Sequence, residues 1–321
     1  MKNLKYLVLC VLCVSFVFTS CKKDTVDEAQ VLVEYIEANG DYATTAMPAI
    51  ITAEGVYSAN LTGQVYIIDI RAEDAFAAGH IENAVNVAAN GVLDHLAAMD
   101  ATTYETVAIV CYSGQTAAFV TCLARISGYT NVKSMKWGMC SWNATTAGSW
   151  PSNVSNTYAT QITTDATAKD AMGELPILTT GLETGKEILD ARVAAINESG
   201  FGNAKISAAD VWANPENYYI VNYWKEAHYT DPGHITGAMQ YSPKLAMQVA
   251  EDLKTLPTDK TIVVYCYTGQ TSANMAAYLQ VLGYDAKSLL FGASGMFLDL
   301  VSKEGYPHWA DSYIMDYDLV Q

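Results

Sequence analysis

Apolar positions along this chain fall into two recurring patterns, short unbroken runs and longer stretches with helical spacing. Residues 107–110 and Ile262–Tyr265 are continuous apolar runs, the signature of strands buried on both faces of a parallel sheet. Val65–Asp69 and Tyr219–Asn222 are β-rich and read as further strands. Residues 116–127 and 271–282 have helical spacing and close at Gly128 and Gly283, where a left-handed residue ends a helix most cheaply. Helices are also predicted over residues 91–99 and 243–254, with Thr52 and Ser207 as caps of two short ones. Amphipathic helices over 27–38 and 186–197 each precede a glycine turn. Strand, loop, helix and strand in this order make βαβ units, hence an α/β fold with doubly wound, mainly parallel sheets flanked by helices.

The chain repeats itself. Cys111-Tyr112-Ser113-Gly114-Gln115-Thr116 returns as Cys266-Tyr267-Thr268-Gly269-Gln270-Thr271, displaced by 155 residues. The same displacement carries Ile51-Thr52-Ala53 to Ile206-Ser207-Ala208 and Gly128-Tyr129 to Gly283-Tyr284, and Gly79-His80-Ile81 returns at 154 as Gly233-His234-Ile235. Two homologous domains follow, over 51–150 and 206–313, with a tether and leading helix over 21–50 and a tail over 314–321. Between the copies, residues 151–205 hold a linker and the second leading helix. The linker is poor in large apolar residues except at Leu175-Pro176-Ile177-Leu178, which can pack on something.

Residues 1–20 read as an address. Lys2 and Lys5 precede an apolar run from Leu7 to Phe18 that is too short to span a bilayer, as in a secretory signal peptide. Thr19-Ser20-Cys21 resembles a bacterial lipoprotein box, with Phe18 where Leu is usual, and implies lipidation of Cys21 as the mature N-terminus. The protein is then expected to be extracytoplasmic and held at a membrane, periplasmic or at the cell surface, by its lipid anchor.

Charge sharpens this expectation. Lys plus Arg number 18 against 34 Asp plus Glu, a formal net of −16, so no basic face exists to neutralise phosphates and nucleic acid is excluded as a partner. Removing residues 1–20 leaves 16 basic against 34 acidic residues, net −18, a body repelled by anionic lipid that only acyl chains would hold at a membrane. With 51% hydrophobic and 16% charged residues, a disordered or fibrous chain is ruled out as well.

The repeated hexapeptide carries the candidate chemistry. A cysteine at the C-terminal end of a buried parallel strand, followed by a glycine turn into a helix, lies in the crevice where open α/β sheets bind ligands. Backbone N–H groups of such a loop, with the positive end of the helix dipole behind them, favour thiolate over thiol. Cys111 and Cys266 are therefore expected to carry reachable, anionic sulfurs. Ser113, Thr268, Thr116 and Thr271 could donate to a bound sulfur or satisfy turn and cap groups. Gln115 and Gln270 could face either solvent or substrate. His80 and His234 invite a catalytic-base reading, but their Gly-His-Ile turns favour structural hydrogen bonding. Cys122 and Cys140 are expected to be small packing residues rather than a disulfide, because the corresponding positions of the second copy are Ala277 and about Ser294. His95, His228 and His308 have no metal-ligand spacing.

Each copy resembles a rhodanese (sulfurtransferase) domain. Ile68-Asp69-Ile70-Arg71 and the segments from Gly79 to Ala84 and from Gly233 to Ala238 match its Asp-x-Arg and Gly-His-Ile-x-x-Ala patterns, and the two hexapeptides match its six-residue active loop. The resemblance implies catalysis by Cys111 and Cys266, a substrate-binding loop of Tyr112 to Thr116 and Tyr267 to Thr271, and possible support from Arg71. It implies a small sulfur donor, a thiol or other thiophilic acceptor, an enzyme persulfide between them, and no cofactor or metal. Two departures stand out. Tyr112 and Tyr267 occupy the position after the Cys where thiosulfate-preferring loops often hold a cation, and Asn222-Tyr223-Trp224 replaces the Asp-x-Arg pair in the second copy. Weak thiosulfate activity is expected, and a non-catalytic binding module is the rival reading. Phosphatase chemistry is disfavoured, since Ala117 and Ser272 stand where a phosphate-binding loop needs Arg.

Overall fold

The computed structural model describes residues 26–321, so the signal segment and Cys21 lie outside the described residues. Among the described residues, ten strands form two five-stranded sheets, parallel throughout. The first contains β1 (Ile50–Ile51), β2 (Val65–Asp69), β3 (Val85–Asn86), β4 (Thr106–Val110) and β5 (Val132–Met135), in the order β1-β5-β4-β2-β3. The second repeats that order with β6 (Lys205–Ile206), β10 (Ala286–Leu289), β9 (Ile262–Tyr265), β7 (Tyr219–Asn222) and β8 (Met239–Gln240). In β4, Val107 and Ile109 enter a core shared with the other half, whereas Ala108 and Val110 enter a core confined to the outer face. Ile262 and Val264 of β9 face the shared core in the same way, with Val263 and Tyr265 on the outer face. Burial on both sides explains why these strands are apolar without alternation.

Helices Gln115–Ile126 and Gln270–Val281 follow the two central strands and share that core, so they are buried almost all round. Even their polar residues Thr121, Ser272 and Asn274 are fully enclosed, and Asn274 accepts a 2.6 Å hydrogen bond from Tyr42 of the other half. The leading helix Glu28–Ala38 is capped by Asp27, which accepts from the Gln30 amide at 3.0 Å, and buries Leu32, Val33 and Ile36. Its counterpart Gly185–Asn203, capped by Thr184, breaks helical geometry at Gly200.

One predicted helix is absent. Residues 243–254 are turns with a short 3₁₀ piece at Leu253–Thr255. Lys244 is left-handed (φ 68°), and the backbone N–H of Val249 is spent on Glu37 Oε1 at 2.8 Å rather than on a carbonyl one turn back. Gln248 is likewise drawn out to Asp41 at 2.8 Å, so tertiary anchoring to the leading segment overrides local propensity.

Each half is strapped by chain that follows the other. The linker from the first half lies on the second, pairing Thr163 with His234 in an antiparallel bridge and stacking Tyr158 on Trp212 at 4.7 Å. The C-terminal tail returns to the first half, pairing Val320 with His80 and stacking Tyr317 on Tyr57 at 4.1 Å. Pro176 is buried and Leu175 and Leu178 pack on the shared core, while Ile177 stays 91% exposed.

Candidate active site

Both cysteine loops leave the C-terminal ends of their central strands and turn through a left-handed glycine, Gly114 (φ 85°) or Gly269 (φ 77°), into the buried helices. Cys111 Sγ accepts from the backbone N–H of Gly114 at 3.1 Å and of Ala117 at 3.4 Å. Cys266 Sγ accepts from the Ser272 N–H at 3.4 Å and donates to Ser272 Oγ at 3.6 Å, and that hydroxyl lies 2.8 Å from Ser288 Oγ. The first sulfur thus sits in a cradle of backbone donors, the second in a mixed cradle with a hydroxyl.

The expected solvent-reachable sulfurs are corrected. Cys111 is 3% and Cys266 2% exposed. Burial pushes the Cys111 thiol up, the N–H groups of Ala117, Ser113 and Gly114 pull it back, and the Asp69 carboxylate adds to the rise, so in this closed arrangement the net direction is upward. A second correction concerns Gln115 and Gln270, which face neither solvent nor an open crevice. They are 2% and 1% exposed and cross to the opposite half. Gln115 Oε1 accepts from the Phe291 N–H at 2.8 Å, and Gln270 Oε1 from the Trp137 N–H at 3.4 Å. The glycines make room for them, since a Cβ on Gly114 would lie 2.2 Å from Gln270 Nε2 and one on Gly269 would lie 2.3 Å from Gln115 Oε1.

The remaining loop residues differ in exposure. Tyr112 is 47% exposed, Thr116 and Thr271 are half-buried, and Ser113 and Thr268 are buried. Ser113 Oγ accepts from Gln115 Nε2 at 3.1 Å, and its carbonyl accepts from the Trp150 indole at 3.1 Å. Thr116 lines a cavity of about 250 Å³ together with Asn90, Phe119, Glu198 and Phe201.

Arg71 forms a buried fork on Asp69, with contacts of 2.7–3.0 Å, and donates to the Gly79 carbonyl at 2.8 Å. Its guanidinium lies 6.0 Å from the Tyr112 ring centre, and Tyr112 accepts from the Ala72 N–H at 3.3 Å. In the second half Trp224 fills the corresponding place and stacks on Tyr267 at 4.6 Å, the Tyr267 hydroxyl meeting His228 Nδ1. Asn222 donates to the Tyr265 hydroxyl at 2.7 Å. An ion pair under the first loop is thereby matched by an aromatic stack under the second.

His80 and His234 are held by backbone carbonyls, His80 by Phe76 at 3.0 Å and His234 by Tyr229 at 2.7 Å and Asp165 at 3.1 Å, which suits structural hydrogen bonding. Cys122 and Cys140 are buried free thiols. Among the described residues no cluster of three or more His, Cys, Asp or Glu could hold a metal ion.

Sequence reasoning missed a second loop in each half. Trp137 and Gly138 are both left-handed, as are Phe291 and Gly292, and each pair backs the cysteine loop of its own half. Met139 N–H donates to the Cys111 carbonyl at 2.8 Å, and Ala293 N–H to the Cys266 carbonyl at 2.9 Å. A Cβ on Gly138 would lie 2.3 Å from the Cys111 carbonyl oxygen, and one on Gly292 2.2 Å from that of Cys266. An aromatic-glycine pair repeated at a displacement of 154 residues is the signal that could have found them. Trp150 packs edge-on against Phe291 at 5.0 Å and stacks on Trp309 at 5.6 Å, closing the seam between the loops.

A family model of the rhodanese-like domain matches residues 52–145 and 178–296. No match was found among curated proteins. Among solved structures, the chain is similar to a rhodanese-related protein from Thermoplasma volcanium, at 25% identity over 32% of this chain and 94% of that one, with a TM-score of 0.24. A rhodanese-like domain protein from Staphylococcus aureus matches at 24% identity over 28% of this chain and 87% of that one, with a TM-score of 0.24. Thiosulfate sulfurtransferase from Pseudomonas aeruginosa matches at 15% identity over 89% of this chain and 49% of that one, with a TM-score of 0.30. The chain belongs to the rhodanese-like family and carries the domain twice.

Proposed function

We propose that the protein moves sulfane sulfur from a donor to a thiophilic acceptor through a persulfide on Cys111, on Cys266, or on both. The observation that carries this reading is the pair of backbone N–H groups, from Gly114 and Ala117, that meet Cys111 Sγ at a helix N-terminus and would stabilise negative charge there. In the first step the Cys thiolate attacks the outer sulfur of the donor. The donor's S–S bond breaks, its leaving group departs with the electron pair as sulfite or a thiolate, and Cys–S–S⁻ remains. In the second step the acceptor attacks that outer sulfur and the Cys thiolate leaves, so nothing is oxidised or reduced overall. Deprotonation is coupled to opening of the seam, because burial holds the Cys111 thiol up while the loop is closed.

The donor we favour is a neutral or organic persulfide. Neither loop holds a cation, and the Arg71 guanidinium beside Tyr112 is already neutralised by Asp69 at 2.7 Å. Tethering through a lipidated Cys21 in an extracytoplasmic space belongs to the same proposal. Burial of both sulfurs favours a second reading, a non-catalytic module that uses the loops to hold its two halves together.

Intact mass spectrometry of the purified chain separates the two. Incubation with thiosulfate and, in parallel, with glutathione persulfide is expected to add one sulfur atom per competent half, more readily from the organic donor. Cys111→Ser and Cys266→Ser should each remove the gain of their own half. No gain from either donor overturns the transferase and leaves the binding module.

A further inference from the structure

We propose that each loop glutamine is a positioning residue for the cysteine of the opposite half, so that Gln115 tunes Cys266 and Gln270 tunes Cys111. The path is short and continuous. Gln115 Oε1 accepts the Phe291 N–H at 2.8 Å, and Phe291 (φ 59°) with Gly292 (φ 53°) forms the tight left-handed turn behind the second loop. That turn delivers the Ala293 N–H to the Cys266 carbonyl at 2.9 Å, and Gly292 lies so close that an added Cβ would meet the N–H groups of both Thr268 and Gly269 at 2.8 Å. The peptide units of the Cys266 loop are therefore seated on a turn whose first N–H is held from the first half. The same path runs back from Gln270 Oε1 through the Trp137 N–H at 3.4 Å, the Trp137–Gly138 turn, and the Met139 N–H on the Cys111 carbonyl at 2.8 Å.

The crossing is built rather than incidental. Both amides are almost fully enclosed, and each enters a space that only a glycine at position 114 or 269 leaves open. A bulky residue in a left-handed turn is conformationally unfavourable and persists when its surroundings fix it, which is what an accepting oxygen on its N–H supplies. The two crossings are also unequal. Gln115 makes the shorter bond and spends its own N–H₂ on Ser113 at 3.1 Å, whereas the bond to Gln270 is longer and its Nε2 has no partner. Control of Cys266 from the first half should exceed control of Cys111 from the second.

This deepens the proposed transfer by assigning cross-regulation of its two cysteines, yet its test requires no sulfur donor and so stands or falls separately. Peptide-resolved alkylation of the full chain by iodoacetamide at fixed pH gives a rate for each cysteine. Gln115→Met, which keeps length and loses the acceptor, is expected to change the Cys266 rate at least threefold and the Cys111 rate by less than half as much. Gln270→Met should reverse that selectivity with a smaller effect. If Gln115→Met does not fold, Gln115→Asn, which withdraws the acceptor by one methylene, gives the same comparison. A variant that alters mainly the cysteine of its own half, both cysteines equally, or neither overturns the proposal.

Discussion

Replacing Arg71 tests whether its role is to hold the first half together. The guanidinium is 3% and the Asp69 carboxylate 1% exposed, and they meet at 2.7 Å. Arg71→Ala leaves the carboxylate buried with the backbone N–H of residue 71 (3.0 Å) as its remaining contact and strips the Gly79 carbonyl of its 2.8 Å donor. Removing one partner of a buried pair costs about 3–5 kcal/mol, much of it the uncompensated charge, and an orphaned carbonyl adds about 1 kcal/mol. A loss of about 5 kcal/mol is a large share of the roughly 5–15 kcal/mol that stabilises a domain. The second half supplies the control. Asn222 and Trp224 occupy the equivalent places without a charge, and Trp224 stacks on Tyr267 at 4.6 Å. Grafting that pair as Asp69→Asn with Arg71→Trp removes both charges and offers Tyr112 the same stacking partner, so the double variant should lose less than about 2 kcal/mol. Urea titration followed by tryptophan fluorescence and circular dichroism measures all three proteins. Either an Arg71→Ala loss below about 1 kcal/mol or a graft that costs more than the single change would refute the reasoning.

Three further outcomes are expected. Gly138→Ala, whose Cβ would press on the Cys111 carbonyl at 2.3 Å in a left-handed turn (φ 57°), should lower the urea midpoint far more than Gly63→Ala, which has the same backbone sign (φ 68°) but no atom within 4 Å; equal effects would show that backbone strain alone decides both. Deleting residues 314–321 removes the Tyr57–Tyr317 stack and the Val320 bridge to His80, and should cost the first half about 2 kcal/mol, seen as faster hydrogen exchange around residues 79–82; unchanged exchange there would mean that the tail is not a strap. Burial raises the Cys111, Cys122 and Cys140 thiols, the last to about 11, so the folded state keeps protons that the unfolded chain gives up near its ordinary thiol pKa of about 8.5. Their contribution is full below that pH and is lost as pH rises toward the folded values, so urea midpoints should fall between about pH 8.5 and 10, whereas a midpoint that climbs there contradicts the sign.

The central strands and loop helices were legible because their burial is set locally. A run such as Val107 to Val110, with no polar face, has few homes besides the middle of a parallel sheet, and Gly128 (φ 105°) and Gly283 (φ 101°) end the helices where a left-handed residue is required. The repeat made the cysteine loops legible too, since turn chemistry and strand burial recur together. What escaped depends on partners distant in sequence. The turns over 243–254 are fixed by Glu37 and Asp41, each more than 200 residues away, and Gln115 is aimed by Phe291, 176 positions along the chain. Nothing in a Gln side chain beside a cysteine announces that its acceptor oxygen will leave its own domain.

Duplication sets one cysteine loop against the other, with Gln270 lying against Gly114 and Gln115 against Gly269. In an isolated half the crevice above Cys111 would be bounded by Tyr112, Gln115 and Thr116 and open to water, as the strand-loop-helix geometry expects. Here the second copy's loop meets that of the first. Gln270 enters against Gly114, and Trp150, Phe291 and Trp309 close the side. Tyr112 and Thr116 are the residues of the first hexapeptide left in contact with solvent, and Thr116 borders the cavity of about 250 Å³. Under the proposed transfer, a donor for Cys111 would come past those two side chains or through the seam between the halves. Because the crossings are reciprocal, parting that releases Gln270 from the first half also withdraws Gln115 from the second. Under the proposed transfer, opening at one cysteine would thereby be tied to opening at the other.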